Sequence, residues 1–124
     1  MKKVINTEKA PKAIGPYSQA ILVDDILFCS GQTPLVPETG KLAEGDVSAQ
    51  TEQVCKNISA VLIEAGYEFE DVIKTTCFLT TMDDFAAFNA VYEKYFISKP
   101  ARSTVAVKEL PVAAKVEVEV IAKK

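Results

Sequence analysis

Alternation of apolar and polar positions divides the chain into short elements set apart by turn-forming residues. Ala20-Ile21-Leu22-Val23 and Ile26-Leu27-Phe28 flank Asp24-Asp25. That pattern predicts a β-hairpin over Ser18 to Cys29, closed by a two-residue acidic turn. Ser30-Gly31-Gln32-Thr33-Pro34 and Pro37-Glu38-Thr39-Gly40 are dense in turn formers and predict a loop. A helix then starts near Asp46 or Ser48, either of which can cap free backbone N–H groups. Val47, Val54, Ile58, Val61, Leu62 and Ala65 recur at helical spacing up to Gly66, a natural stop. The β-branched run from Val72 to Thr80 reads as a buried strand. Asp83 or Thr81 caps a second helix with Phe85, Phe88, Val91, Tyr92 and Tyr95 on its inner face, closed by Lys99-Pro100. Two strands finish the chain, Ala101 to Val107 and Lys115 to Ala122. The last alternates Val116, Val118 and Val120 with Glu117 and Glu119.

The order hairpin, helix, strand, helix, hairpin predicts an α+β fold, with two helices packed on one face of a mostly antiparallel sheet. If alternation holds, the second face carries Arg102, Thr104, Glu117 and Glu119. Such a face is either solvated or closed against another subunit.

Residues 1–124 read as a single domain by length. Hydrophobic residues make up 48% and charged residues 25%, a globular rather than a disordered balance. The 14 basic and 17 acidic residues leave a net charge of -3, which argues against salt-driven nucleic-acid binding but leaves a local basic patch open. Cys29, Cys55 and Cys77 form no C-x-x-C pair, and each reads as a small buried apolar residue. Their odd number, an N-terminus without a leader-like apolar stretch, and the lack of any apolar run near the ~20 residues that span a bilayer lead us to expect a cytoplasmic, membrane-free protein.

The chain has no histidine. That removes the Ser-His-Asp triad, the Cys-His pair and the H-E-x-x-H zinc site. No G-x-G-x-x-G or Walker A sequence supports nucleotide binding, and the cysteines lack metal-ligand spacing, so no metal or cofactor is expected. Arginine, carboxylates, tyrosine and backbone groups remain. Gly15-Pro16-Tyr17-Ser18-Gln19 puts a tyrosine at the start of a strand, where it either packs or donates a hydrogen bond to a ligand. In Pro100-Ala101-Arg102-Ser103-Thr104 the arginine is either a surface residue or a bidentate fork for a carboxylate.

Taken together, these segments resemble the YjgF/RidA family. Gly15-Pro16-Tyr17-Ser18-Gln19-Ala20, Ser30-Gly31-Gln32, Pro100-Ala101-Arg102-Ser103 and Val116-Glu117-Val118-Glu119 stand in that family's order and spacing. Lys56-Asn57-Ile58, Ala65-Gly66, Val72-Ile73-Lys74-Thr75-Thr76 and Phe88-Asn89-Ala90-Val91-Tyr92-Glu93 match its inner signature, so the likeness runs from near residue 5 to the C-terminus.

The resemblance implies a chorismate-mutase-like α+β unit assembled as a homotrimer, with ligand sites between subunits. It also implies cofactor-free hydrolysis of 2-imino acids, such as 2-iminobutanoate and 2-iminopropanoate, to 2-oxo acids and ammonia. Pyridoxal-phosphate-dependent dehydratases acting on threonine or serine release such imines. By the same resemblance, Arg102 clamps the substrate carboxylate, helped by backbone at Ser103 and Thr104. Glu117 holds the attacking water, Tyr17 and the backbone of Gly31 line the imine end, and Ser30 and Asn89 shape the walls. Glu119 competes with Glu117 for the water-holding role. Position 104 is often cysteine in the family and is Thr104 here, so a thiol there is not essential to this protein. The competing readings are a non-catalytic sensor of 2-oxo acids, which would keep Arg102 and tolerate loss of Glu117, and an RNA-cleaving translation inhibitor, which the missing histidine and the acidic balance disfavour.

Overall fold

The computed structural model describes residues 1–124. A strand the hydrophobic pattern does not signal, β1 (Lys2–Ile5), pairs antiparallel with β2 (Ala20–Val23). β2 turns through Asp24-Asp25 into β3 (Ile26–Gln32), with Asp24 at φ 55°, so the expected hairpin forms. The turn-rich segment that follows carries a small ribbon of β4 (Leu35–Val36) and β5 (Lys41–Leu42).

Helix α1 (Val47–Ala65) starts on Asp46, whose carboxylate accepts the Ala49 N–H at 3.0 Å, and stops on Gly66 at φ 81°. Strand β6 (Val72–Leu79) leads to a single 3₁₀ turn, Met82–Asp84, capped by the Thr81 hydroxyl. Helix α2 (Phe85–Tyr95) continues directly from that turn, then β7 (Ala101–Ala106) and β8 (Val116–Lys123) complete the chain.

One six-stranded sheet runs in the order β1-β2-β3-β8-β6-β7, antiparallel except for β6 and β7. The final two strands are therefore not the hairpin that the pattern predicts. Instead α2 carries the chain across to set β7 parallel to β6, and β8 inserts between β3 and β6. A buried strand gains two hydrogen-bonding neighbours this way, and the alternating valines of β8 all point into the helix-covered core while Glu117 and Glu119 point away from it.

Both helices lie on one face, as expected for the α+β architecture. Val54, Ile58, Val61 and Leu62 of α1 meet Leu27, Val116, Val118 and Val120 of the sheet, with Phe88 and Phe96 beside them, all essentially solvent-free. Burying each such side chain contributes roughly 1.5–3 kcal/mol. The helices are also tied at the surface: Tyr95 donates to Glu52 Oε2 at 2.7 Å, and Lys94 Nζ lies 2.6 Å from Oε1. No helix is long and apolar enough to cross a membrane.

The other face of the sheet is bare. Val4, Phe28 and Val105 point from it with half of their surface or nearly so exposed, and Ile21 and Phe28 pair directly across β2 and β3.

Candidate functional site

The pairing of β3 with β8 slips where the chemistry gathers. Cys29 faces Val120 but Gln32 faces Val118, so β3 has one residue more than β8 across the interval. This bulge keeps Cys29 and Gln32 on the buried face and turns both Ser30 and Gly31 toward the open face, a common use of bulges near functional sites. Glu117 of β8 lies over Gly31. A Cβ built on Gly31 would stand 2.9 Å from Glu117 Cδ and closer still to Oε2, so it is space, not φ, that makes glycine the residue that lets Glu117 lie where it does.

Glu117, Gly31, Ser30 and Tyr17 line a single cavity of about 570 Å³, with Glu119 beside them. Four of the sequence-derived site residues thus come together. Tyr17 is 53% exposed and is held by a tight turn in which its N–H donates to the Gly15 carbonyl at 2.9 Å. Ser30 Oγ donates to the Ser18 carbonyl at 2.6 Å, and the Ser30 N–H donates to the Gln19 carbonyl at 2.9 Å. Burial pushes the Glu117 carboxyl above the usual carboxylate range and the charge of Glu119 adds to this, with no cation or hydrogen bond offsetting either. A half-buried carboxylate raised in this way is suited to take and return protons.

Arg102 is elsewhere. The strand register pairs it with Thr75, on the helix-covered face, while Glu117 and Glu119 pair with Phe78 and Thr76 on the bare face. Thr104 pairs with Cys77, also on the helix side. The expectation that alternation would put Arg102, Thr104, Glu117 and Glu119 on one face is thus wrong. With β6 between β7 and β8, each chain presents two separate half-sites. The error follows from the final hairpin, because facing depends on which strands pair and at what register.

The arginine half-site is built in detail. Arg102 Nη1 donates to Asn89 Oδ1 at 2.8 Å, its Cζ lies 4.8 Å from the ring centre of Tyr92, and Phe85 stands 5.5 Å away. Tyr92 is fixed in turn by a 2.8 Å hydrogen bond between its hydroxyl and Thr75 Oγ1. Asn89 therefore sits with Arg102 and away from Ser30, while Tyr92 and Phe85 form a stacking platform that the helical pattern presents only as core. One guanidinium donor is engaged and the fork remains open to a carboxylate. Ser103 points to the opposite face, its Oγ 3.5 Å from Lys74 Nζ, and Thr104 Oγ1 is buried without a hydrogen-bond partner.

Two buried amides that the sequence reading names only within motifs, with no role of their own, shape the cavity. Gln19 accepts the Thr7 N–H at 2.7 Å and donates to the carbonyls of Thr7 at 3.0 Å and Pro11 at 2.9 Å, which pins the N-terminal loop as one wall. Asn57 of α1 donates to the carbonyls of Thr33 at 3.0 Å and Leu35 at 2.9 Å, which pins another. Asn57 could have been found as a polar residue inside the apolar stripe of a helix. The cysteines are buried as expected, and desolvation pushes the Cys29 thiol up to about 12 and raises Cys55 and Cys77 as well. None is a thiolate nucleophile at neutral pH.

A family model described as Endoribonuclease L-PSP matches residues 7–124. The chain belongs to the YjgF/RidA family. Among its YjgF/RidA relatives is a RutC family protein of Pyrococcus horikoshii, 54% identical over 100% of this chain and 99% of that protein. A mouse relative named 2-iminobutanoate/2-iminopropanoate deaminase is 46% identical over 98% of this chain and 91% of its own. The crystal structure of Escherichia coli TdcF with bound serine superposes with a TM-score of 0.94 at 40% identity, covering 98% of each chain. The chain is thus a Rid-type protein with the YjgF fold, some of whose relatives bear deaminase names.

Proposed function

We propose that the protein hydrolyses 2-imino acids such as 2-iminobutanoate and 2-iminopropanoate to 2-oxo acids and ammonia, at sites shared between copies of the chain. The observation that carries this reading is the Glu117 carboxylate, half-buried over Gly31 in a cavity and raised in pKa, with the free fork of Arg102 on another surface. The reading is supported as well by the deaminase name of the mouse relative.

The reaction needs little more than placement. A protonated imine carbon is already electrophilic, so a water molecule can add to C2 once it is held in line. Glu117 accepts a proton from that water as the C–O bond forms. Glu117 returns that proton to the nitrogen of the resulting carbinolamine, the C–N bond breaks, ammonia leaves with the electron pair, and the hydroxyl proton passes back to Glu117 as the carbonyl forms. Arg102 binds the carboxylate throughout and withdraws charge from C2. The Tyr17 hydroxyl and the Gly31 backbone border the nitrogen.

Because the two half-sites lie on opposite faces, Arg102 of one copy reaches the Glu117 cavity of the next. Head-to-tail contacts of this kind close into rings, which agrees with a homotrimer. The bare sheet face and the β7 edge supply surface for such contacts.

The test couples the protein to a threonine dehydratase and follows 2-oxobutanoate and ammonia release under conditions that slow spontaneous imine hydrolysis. Acceleration is expected. Arg102→Ala should abolish it and Glu117→Gln should weaken it while oxo-acid binding stays measurable. No acceleration by the wild-type protein sinks the reading, and a monomer in sedimentation removes the shared site.

A further inference from the structure

We propose that Tyr92 is a positioning residue for Arg102: its ring, oriented by Thr75, holds the guanidinium fork ready for the substrate carboxylate. The inference rests on the deaminase reading and adds the groups that set its carboxylate clamp.

Arg102 has little else to hold it. It lies on β7, an edge strand with one neighbour, and its side chain is exposed. A long arginine in such a place samples many rotamers, and ordering it when a ligand binds costs affinity. Asn89 fixes only one of its nitrogens, Nη1, at 2.8 Å. The plane of the fork needs a second restraint, and the Tyr92 ring, with its centre 4.8 Å from Cζ, is placed to give it.

The ring is itself held from several sides. Phe96 stacks on it with ring centres 4.3 Å apart and planes 19° from parallel, and Phe88 stands 5.4 Å away. Its hydroxyl shares a 2.8 Å hydrogen bond with Thr75 Oγ1. Thr75 is the residue directly opposite Arg102 in the parallel register of β6 and β7. One strand pair therefore sets the arginine backbone and, through Thr75, the ring that meets the far end of the same arginine.

Packing alone does not call for these two hydroxyls. Thr75 is fully buried and Tyr92 nearly so, and valine and phenylalanine would fill the same space with no polar atoms to satisfy. A buried hydrogen bond between neutral hydroxyls returns little more than the desolvation it costs. What it adds is direction, because it fixes the height and tilt of the ring. Burial also raises the Tyr92 pKa, so the phenol keeps its proton at neutral pH.

The clamp holds the carboxylate in the ground state and the transition state alike, so loosening it should appear in KM and not in kcat. Tyr92→Leu removes the ring. Thr75→Val/Tyr92→Phe keeps a ring and removes the bond that orients it. Rates are taken in the dehydratase-coupled assay with imine supply varied through threonine, and 2-oxobutanoate binding is measured by titration calorimetry. Tyr92→Leu should raise KM and the 2-oxobutanoate Kd by roughly 3- to 30-fold, the range a cation–π contact spans. Its kcat should stay within about threefold of wild type, and the acid limb of kcat/KM should not move, because Glu117 lies on the other face. Thr75→Val/Tyr92→Phe should raise both constants about two- to fivefold, with a thermal midpoint near that of wild type. A fall in kcat at unchanged KM, a shifted acid limb, or wild-type constants in the double variant overturns the positioning role and leaves the deaminase standing. If Tyr92→Leu fails to fold, the double variant decides alone. Wild-type protein that binds 2-oxobutanoate without accelerating imine hydrolysis overturns the deaminase reading, and the Kd values still test the clamp.

Discussion

Gly31→Ala puts the placement of Glu117 to a direct test. The backbone at Gly31 is not left-handed, so alanine meets no conformational penalty there, and in a strand it is favoured over glycine by roughly 0.5–1 kcal/mol. Its methyl would sit 2.9 Å from Glu117 Cδ and 3.1 Å from Cγ, where ordinary contact begins at 3.4 Å. The carboxyl carbon must therefore retreat by roughly half an ångström, and the nearer oxygen further. Glu117 is a flexible, half-buried side chain, so it can swing aside at little cost to the fold. Catalysis does not share that tolerance, because misplacing a catalytic group by ~1 Å costs on the order of 100-fold. We expect a 10- to 100-fold drop in imine hydrolysis with unfolding free energy within about 1 kcal/mol of wild type. The dehydratase-coupled assay and urea unfolding measure the two quantities. In a double-mutant cycle, adding Gly31→Ala to Glu117→Gln should cost nothing further. Wild-type rates in Gly31→Ala, or full additivity with Glu117→Gln, would refute the placement argument.

Two further outcomes follow from the charges. Burial first and Glu119 second raise the Glu117 pKa, so activity should fall on its acid side at a pH above the ordinary carboxylate range. Glu119→Gln removes the second cause and should move that acid limb of kcat/KM to lower pH; an unmoved limb would mean that another group titrates. Glu52 is the opposite case, held below the usual range by hydrogen bonds from Lys94 and Tyr95. A depressed carboxylate stabilises the fold above its unfolded pKa and ceases to do so as pH falls through the folded value. Glu52→Gln should therefore lose about 1 kcal/mol at pH 7, discounted for partial exposure. Urea titrations of the two proteins should converge toward pH 3, and a gap that persists there would contradict the ionic origin.

Features set by near neighbours were legible in the sequence. The acidic hairpin turn, the Asp46 cap, the Gly66 stop and the apolar stripe of α1 each depend on residues a few positions apart. Strand order was not legible, because pairing β8 between β3 and β6 depends on contacts across most of the chain. That single step also fixed which face Arg102 takes, so the error in the last hairpin spread to the site. Short β1, with Lys2 and Lys3 exposed, gives almost no periodic signal. The bulge at Ser30-Gly31 exists only relative to β8 and has no counterpart in a single strand's pattern. Tyr92 could be recognised as an inner-face aromatic, but its use as a platform for Arg102 depends on the parallel register of β6 and β7.

Gln19 and Asn57 hold the walls of the cavity through neutral amides. Neither gains or loses a proton across the range in which proteins function. The shape of the cavity is therefore decoupled from acidity, while its charge, carried by Glu117 and Glu119, is not. Acid should thus silence the site without deforming it, and neutralising the solution should restore it as fast as protons can leave.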